Sequence, residues 1–388
     1  MKFVTINNSG SALLISLALI LMLSGVAMMA TDRATTDIDL SYNQIHNEQA
    51  FYIAEAGLIR AEKELDDSTR WRNGYNNESF GGGTFTVTIR DSSIVAGLDD
   101  TMIILSTGDI VNAQVTLEAL AVPRYLYPFD YAAFGDSAMV FDQGSCSDSY
   151  NSDSGTYAAT QDTLGGDIGS NGTVTLEGGS TIGGDASTTE DGGFDISGGS
   201  TITGDTTGYM PTQTLPDIPP EEFVYAEANS LAPTGFTGTY SYDPVTHDLV
   251  VGRDDTLVLA SGVYYLNNIT LEQYSSIQLA PGADVKIYAT GDIDAGRYSS
   301  MNPDGSPISF QIYSSGSEFE LARDSEFRGI FYGPDAAVTI TQNDLIYGSL
   351  VGASIGMHRS TCIHYDRSLA GGFRLELGPV DIVAWREM

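Results

Sequence analysis

One short motif in the sequence has the residue types of a hydrolase active site. Residues 352–356 read GASIG and match the G-x-S-x-G pattern of a nucleophile elbow, with Ser354 as nucleophile. An elbow needs a turn between a strand and a helix, yet alternating apolar residues predict strand on both sides of the motif. We therefore expect no catalysis by Ser354.

Histidines form a second group. His358 and His364 lie near Cys362 and Asp366, which are ligand types for zinc. No further soft ligand is evident, so the pattern favours histidines with a structural role.

Oxygen ligands suited to calcium occur in a loop rich in glycine and serine. Asp148, Asn151 and Asp153 are closely spaced there, but the loop lacks the glycine and the terminal glutamate of an EF-hand. Asx and Ser hydrogen bonds of an ordinary turn explain these residues equally well. The predicted sites thus include no metal, and we expect no cofactor.

A fourth group combines carboxylates with arginines, as enzymes that cleave polysaccharides do. It consists of Arg323, Asp324, Glu326 and Arg328. Exposed turn residues are the simpler interpretation, because an active site cannot be inferred from a fold alone. A tethered carbohydrate-active enzyme is therefore kept only as an alternative to a protein that is not an enzyme.

The chain that carries these groups is organised around an uncharged stretch of twenty residues, 11–30, which can act as a tether. A helix of that length rises about 30 Å, the thickness of the hydrocarbon core of a bilayer. Lys2 before it and Asp32 after it favour a cytoplasmic N-terminus and export of the rest. A secretory signal cut after Ala27 or Ala30 is the competing interpretation.

The helical pattern continues beyond this stretch. Apolar or small residues recur on one stripe among polar ones, which predicts one continuous transmembrane and amphipathic helix over residues 11–65. The stripe comprises Ile38, Ile45, Ala50, Phe51, Ala54, Leu58, Ala61 and Leu65.

The first sixty residues resemble the amino-terminal segment of PilX-type minor pilins of type IV pili. The likeness rests on Gly10 before the apolar helix and on AFYIAEAGL at residues 50–58. The resemblance implies a leader, residues 1–10, that a prepilin peptidase removes by cutting between Gly10 and Ser11. It also implies that the helix packs in a filament through Ile15, Ala50, Phe51, Ala54 and Leu58.

The chain departs from standard pilins at the fifth mature position, where they carry a glutamate and this chain has Ile15. In a filament that carboxylate is thought to meet the terminal amine of a neighbour, a buried pair of opposite charges. Ile15 can dock without a buried charge, which suits a minor subunit that primes or tips a filament. A membrane anchor that never polymerises is the alternative.

Charge and composition limit the remaining possibilities. The formal net charge is −34 and no run of basic residues exists, which argues against nucleic-acid binding. Alternating residues predict a small antiparallel β unit over residues 66–123 that completes a pilin-like domain, with a polar loop up to residue 80.

Glycine-rich repeats dominate the sequence from residue 124 onward. Gly-Asp pairs end at Asp167, Asp185 and Asp205, spaced by 18 and 20 residues, which is typical of a parallel β-solenoid. Residues 148–157, 327–340 and 363–369 resemble an uncharacterised β-solenoid domain that commonly follows PilX-type amino termini. A β-sandwich with coincidental repeats is the alternative.

The expected fold class is mostly β with one long N-terminal α-helix. A pilin-like α+β stalk precedes a right-handed parallel β-solenoid head at 124–388, which contains a proline-rich excursion at 209–235. Trp385 is expected to cover the open end of the solenoid. Cys146 and Cys362, 216 residues apart, form a disulfide or remain free thiols, since export permits but does not require pairing.

These patterns predict a minor pilin or pilus-assembly component with a head for priming, tip capping or surface contact. The expected partners are other pilins, the pilus assembly machinery, prepilin peptidase, inner-membrane lipid before assembly, and a surface or glycan. The predicted location is the inner membrane, crossed once with the bulk exported, and then the cell surface or pilus. A membrane-anchored adhesin or envelope scaffold that does not polymerise is the alternative.

Overall fold

A computed structural model describes residues 9–67, 71–91, 101–123, 128–189, 193–370 and 380–388. The chain forms two compact units: unit 1 contains Met1–Pro123 and Pro379–Met388, and unit 2 contains Arg124–Gly378. Strands dominate unit 2, and one long helix with five strands makes up unit 1, which confirms the prediction of a mostly β chain with one long helix near the N-terminus. The prediction that 124–388 forms one domain is wrong at its end, because the last ten residues belong to unit 1.

Unit 1 consists of the long helix and an antiparallel sheet. The bounds are α1 Ser9–Asp67, β1 Tyr75–Phe80, β2 Gly83–Asp91, β3 Met102–Ile110 and β4 Ala113–Pro123. The chain's last strand, Val380–Glu387, pairs with β4 and completes the five-stranded order. The predicted loop up to residue 80 is thus wrong for Tyr75–Phe80, which pair with β2.

Trp385 lies in that last strand and not at an end of unit 2, so its predicted role as a plug is wrong. The antiparallel partner β4 presents Ala119 opposite Trp385. Alternation in a short terminal strand shows that it pairs with some sheet edge, but does not show which edge.

The described residues of unit 2 form mostly short strands, together with two α-helices and three 3₁₀ helices. The strands are β5 Ala133–Phe141, β6 Cys146–Tyr150, β7 Ile168–Ser170, β8 Thr173–Leu176, β9 Thr181–Ile182, β10 Ala186–Thr188, β11 Gly193–Ile196, β12 Thr201–Ile202, β13 Thr206–Thr207, β14 Phe236–Gly238, β15 Ser241–Tyr242, β16 Leu249–Val251, β17 Thr256–Leu259, β18 Gly262–Leu266, β19 Ile269–Leu271, β20 Ser276–Leu279, β21 Val285–Ala289, β22 Ile293–Ala295, β23 Ser300–Met301, β24 Phe310–Ser314, β25 Glu318–Leu321, β26 Glu326–Ile340, β27 Leu345–Met357 and β28 Cys362–Asp366, so that Val380–Glu387 is β29. The helices are α2 Tyr157–Thr160 and α3 Pro220–Asn229, with 3₁₀ helices at Pro128–Asp130, Pro307–Ser309 and Arg367–Leu369.

Successive groups of strands in unit 2 form layers that pair in parallel. The strands β16, β17 and β18 make one layer, and they pair in register with β19, β20 and β21 of the next. Inward-facing apolar side chains therefore stack on their equivalents, as they do in the series Leu257, Ile277, Met301, Phe327, Ile346 and Ile363. All six are at most 1 % exposed, because each layer covers the apolar surface of its neighbour.

The layers are not stacked in the order of the chain. Those built from residues 249–366 come first, and those from residues 133–207 follow them, because β27 and β28 pair in parallel with β5 and β6. At this junction the paired residues are 216 or 217 positions apart, and Cys362 and Cys146 are one of the pairs separated by 216. The strands β14 and β15 cover the first layer, because β14 pairs antiparallel with β17 and β15 pairs antiparallel with β16.

Residues 208–235 carry the chain from the last layer back to the first. The Tyr332 hydroxyl donates to the Pro216 carbonyl at 2.7 Å, and the Tyr288 hydroxyl donates to the Glu222 carboxylate at 3.0 Å. The sequence left open whether the proline-rich excursion at 209–235 is ordered. It is ordered, and it contains α3.

Candidate functional site

The N-terminal part of α1, residues 13–29, presents a continuous apolar surface. Its large side chains from Leu13 to Met29 are 54–75 % exposed, and Ile15, one of the residues predicted to pack in a filament, is 65 % exposed. The helix is long enough to cross a membrane, and its best window has a mean hydropathy of 2.5 with none of that window buried. This surface has the properties of a membrane anchor or a signal segment.

The predicted cleavage point lies at the start of this helix. Gly10 and Ser11 follow Ser9, where α1 begins. Their side chains and residues 1–8 lie outside the described residues, so cleavage after Gly10 stays a prediction.

The C-terminal part of α1, residues 50–65, packs on the sheet of unit 1. Ala50, Ala54 and Leu58 are buried in this core, and the Ser106 hydroxyl donates to the Ala54 carbonyl at 2.7 Å. The helix approaches β3 closely because residue 108 is glycine, whose Cβ, if present, would lie 2.2 Å from the Ala50 carbonyl oxygen. The prediction that Ala50, Ala54 and Leu58 pack against filament neighbours is therefore wrong: helical periodicity identifies a buried stripe but not what covers it.

Phe51, the remaining predicted packing residue, is half-buried beside β29. Its ring centroid is 6.0 Å from that of Trp385, and the two rings line a cleft of about 150 Å³ together with Ile59, Leu117 and Ile382. Trp385 is 59 % exposed. No pattern in the sequence indicates this cleft, because its walls come from the two ends of the chain.

Unit 2 carries a column of similar four-residue turns along one edge, one turn per layer, which we call the turn column. In stacking order it comprises residues 252–255, 272–275, 296–299, 322–325, 341–344, 358–361, 142–145, 177–180 and 197–200. The third residue of each has a φ between +54° and +82°. Many also close with a hydrogen bond from the fourth residue to the first, as Ser275 N–H donates to the Glu272 carbonyl at 3.2 Å.

The turn column is hard to recognise in the sequence because its members are unevenly spaced. The third residues lie between 17 and 35 positions apart within each segment of chain, from Asn343 to Ser360 and from Gly144 to Gly179. A recurrent serine or threonine in the fourth position, after a residue that favours positive φ, was the signal that could have revealed it.

The junction between the two segments of unit 2 is joined covalently. The structure links Cys146 to Cys362 in a disulfide, with their Cα atoms 4.5 Å apart. The pair His364 and Asp148 lies two residues further along the same strands, and His364 Nδ1 is hydrogen-bonded to the Asp148 carboxylate. The Tyr157 hydroxyl donates to the same carboxylate at 2.6 Å. These contacts fasten β28 to β6.

The residues considered for metal binding are held in other interactions. Cys362 has no free thiolate, and His358 pairs instead with Asp142 at 2.9 Å. Asn151 accepts a hydrogen bond from the Ser154 N–H at 3.2 Å, as in an Asx turn. Within the described ranges, no group of three or more His, Cys, Asp and Glu side chains is placed to hold a metal ion.

The residues considered for catalysis are also held in local structure. Ser354 lies inside β27, which pairs in parallel on both sides, and no strand–turn–helix elbow surrounds it. Arg323 pairs with Asp324 at 2.8 Å and Arg328 pairs with Glu326. Each arginine therefore neutralises its neighbouring carboxylate.

One buried carboxylate of the turn column is strongly perturbed. Burial raises the pKa of Asp344 to about 7, against the opposing effect of backbone N–H groups of Ser325, Gln342 and Thr341, which donate to it. Asp344 is fully buried, so its charged form is unfavourable despite these donors.

Comparison with known proteins gives limited similarity. A family model described as a domain of unknown function, DUF7305, matches residues 233–371. No curated protein matches the chain.

Two solved structures are similar over much of their own length. The competence-associated pilin ComZ from Thermus thermophilus is 11 % identical, covers 88 % of this chain and 97 % of its own, and has a TM-score of 0.26. An ice-binding protein from the Antarctic ascomycete Antarctomyces psychrotrophicus is 14 % identical, covers 62 % of this chain and 96 % of its own, and has a TM-score of 0.28. At these scores neither neighbour establishes the fold of this chain.

Proposed function

We propose that the chain is a non-enzymatic, PilX-type minor pilin or pilus-assembly component of a type IV pilus or a related filament. The observation that carries the proposal is the division of α1. Its C-terminal part, residues 50–65, packs on the sheet of unit 1, while its N-terminal part exposes large apolar side chains over more than fifteen residues, 13–29. Such a surface must be covered by lipid or by other helices.

In this proposal the chain crosses the inner membrane once, with its bulk exported. A prepilin peptidase cuts between Gly10 and Ser11, and the apolar N-terminal part of α1 then leaves the lipid and packs against the helices of other pilins. Ile15 supports such a transfer because it brings no charge into the helical bundle. Unit 1 is a pilin-like domain and unit 2 is a right-handed parallel β-solenoid that contacts a surface, an interpretation supported by its in-register parallel layers.

The decisive experiment combines the mature amino terminus with site-specific crosslinking in cells. We expect mass spectrometry to find a chain that starts at Ser11, and a photoreactive residue in place of Leu17 to capture other pilins. The same residue in place of Val245, which is exposed in unit 2, serves as the control and should capture none.

The outcomes separate the proposal from an anchored adhesin or envelope scaffold. Retention of Met1, or a start at Met28 or Thr31, would refute pilin processing. A processed chain that is absent from purified filaments and crosslinks to no pilin would favour the scaffold.

A further inference from the structure

Two tyrosines in the turn column adopt a backbone conformation that bulky residues avoid. Tyr274 has a φ of +65° and Tyr298 a φ of +59°, where the other layers have Gly, Asp, Asn or Ser. A side chain with Cβ raises the energy of this left-handed region, and a large one is unusual there. Strained residues of this kind persist mainly where the side chain is used.

Both rings are on the surface. The centroids of Tyr274 and Tyr298 are 4.8 Å apart with an interplanar angle of 11°, so the rings stack across adjacent layers. They remain 50 % and 40 % exposed, respectively. The strain therefore does not serve the burial of apolar surface.

The preceding position of the turn column carries long hydrogen-bonding side chains. In stacking order these are Arg253, Gln273, Arg297, Arg323, Gln342, Arg359 and Gln143. Backbone bonds confirm that they are neighbours: Tyr274 N–H donates to the Arg297 carbonyl, and Tyr298 N–H donates to the Arg323 carbonyl, each at 3.0 Å. One edge of unit 2 thus places four of the chain's 17 lysines and arginines in a line.

Two of these arginines have guanidinium groups that are available to a ligand. Arg297 and Arg359 are exposed and form no side-chain hydrogen bond or ion pair with the part of the chain that the structure describes. Arg253 donates to the Gln273 side chain at 2.7 Å, and Arg323 pairs with Asp324. The latter two are held in place by neighbours within the column.

We propose that this edge, which we call the Arg–Tyr edge, binds an acidic polysaccharide. A guanidinium group recognises a carboxylate with two parallel hydrogen bonds, and an aromatic ring offers an apolar face to a sugar. The layers repeat at about 4.8 Å, which is comparable to the length of one sugar residue. Successive sugars can therefore meet successive layers.

The charge of the edge argues against a nucleic acid as its ligand. Acidic residues lie in the same turns, namely Asp254, Asp255, Glu272, Asp324, Asp344 and Asp142, so the four arginines give the edge no net positive charge. The same acidic residues can accept hydrogen bonds from sugar hydroxyl groups.

This inference names the site and ligand of the surface contact within the proposed function, yet it does not require a filament. The test therefore uses the full chain in detergent micelles. Calorimetric titrations compare polygalacturonate, neutral dextran and an oligothymidylate, and incorporation into filaments is measured separately.

Two variants test the two kinds of contact. Arg297→Gln should weaken polygalacturonate binding about tenfold, since a hydrogen bond to a charged group is lost. Arg386→Gln, which removes the same charge from the exposed last strand of unit 1, is the matched control and should bind as the wild type does. The double variant Tyr274→Gly, Tyr298→Gly should also bind about tenfold more weakly while its Tm is no lower, because glycine adopts a positive φ freely.

Polygalacturonate binding that both edge variants weaken and the control retains would support the proposal. Absence of binding, unchanged binding by the edge variants, or tighter binding of oligothymidylate than of polygalacturonate would overturn it. Because filament incorporation is measured independently, loss of polysaccharide binding and failure to enter filaments are distinguishable outcomes.

Discussion

The disulfide at the junction of unit 2 gives the sharpest prediction about stability. The double variant Cys146→Ser, Cys362→Ser leaves the paired strands β28 and β6 in place but frees a loop of 216 residues. In the chain-entropy model, closing a loop of that length lowers the conformational entropy of the unfolded chain, which raises its free energy by about 5 kcal/mol at 25 °C. We therefore expect the variant to lose about 3–5 kcal/mol of the free energy of unfolding of unit 2.

Urea denaturation followed by tyrosine fluorescence measures this loss, with and without a reductant. The reductant should destabilise the wild type by a similar amount and leave the double variant unchanged, which separates the disulfide from effects of serine. Proteolysis should then cut near the junction first, since layers from distant parts of the chain meet there without a connecting segment. A loss below about 1 kcal/mol, or two titratable thiols in unreduced protein, would refute the reasoning.

Two further predictions concern positions where the local geometry is tight or buried. Gly108→Val should destabilise unit 1 by about 3 kcal/mol in thermal unfolding, because the new Cβ would meet the backbone of α1. Gly208→Val is the control and should destabilise the protein much less, because the space around Gly208 is open. Equal losses of stability in the two variants would contradict the close approach of α1 to β3. Because the pKa of Asp344 is raised to about 7 from an ordinary value near 3.8, the folded state favours its protonated form, so its contribution is greatest at low pH and is lost as the pH rises towards 7. The stability of the wild type relative to Asp344→Asn should therefore fall between about pH 4 and pH 7, and a difference independent of pH would exclude this role.

The sequence predicted the long helix because an uncharged segment is followed directly by a stripe of apolar residues with helical periodicity. Uncharged residues to Ala30 set its membrane-spanning length, and the stripe that continues to Leu65 extended it. The same stripe could not show that Ala54 faces β3, since a buried face looks alike whether a sheet or a neighbouring helix covers it. The predicted position of Trp385 was wrong for a related reason, because an alternating pattern predicts a strand but does not indicate which strand it pairs with.

The repeats near Asp167, Asp185 and Asp205 predicted that strands recur at fixed intervals, and the structure places them in consecutive parallel layers. It was tertiary structure that decided the order in which layers stack and brought Cys146 beside Cys362. It likewise aligned Tyr274 and Tyr298 with the arginines of neighbouring turns. Local sequence determines which residues turn and which extend, through backbone preference and apolar alternation. The choice of neighbouring strand depends on which edges remain unpaired once the whole chain is folded, and no single segment carries that information.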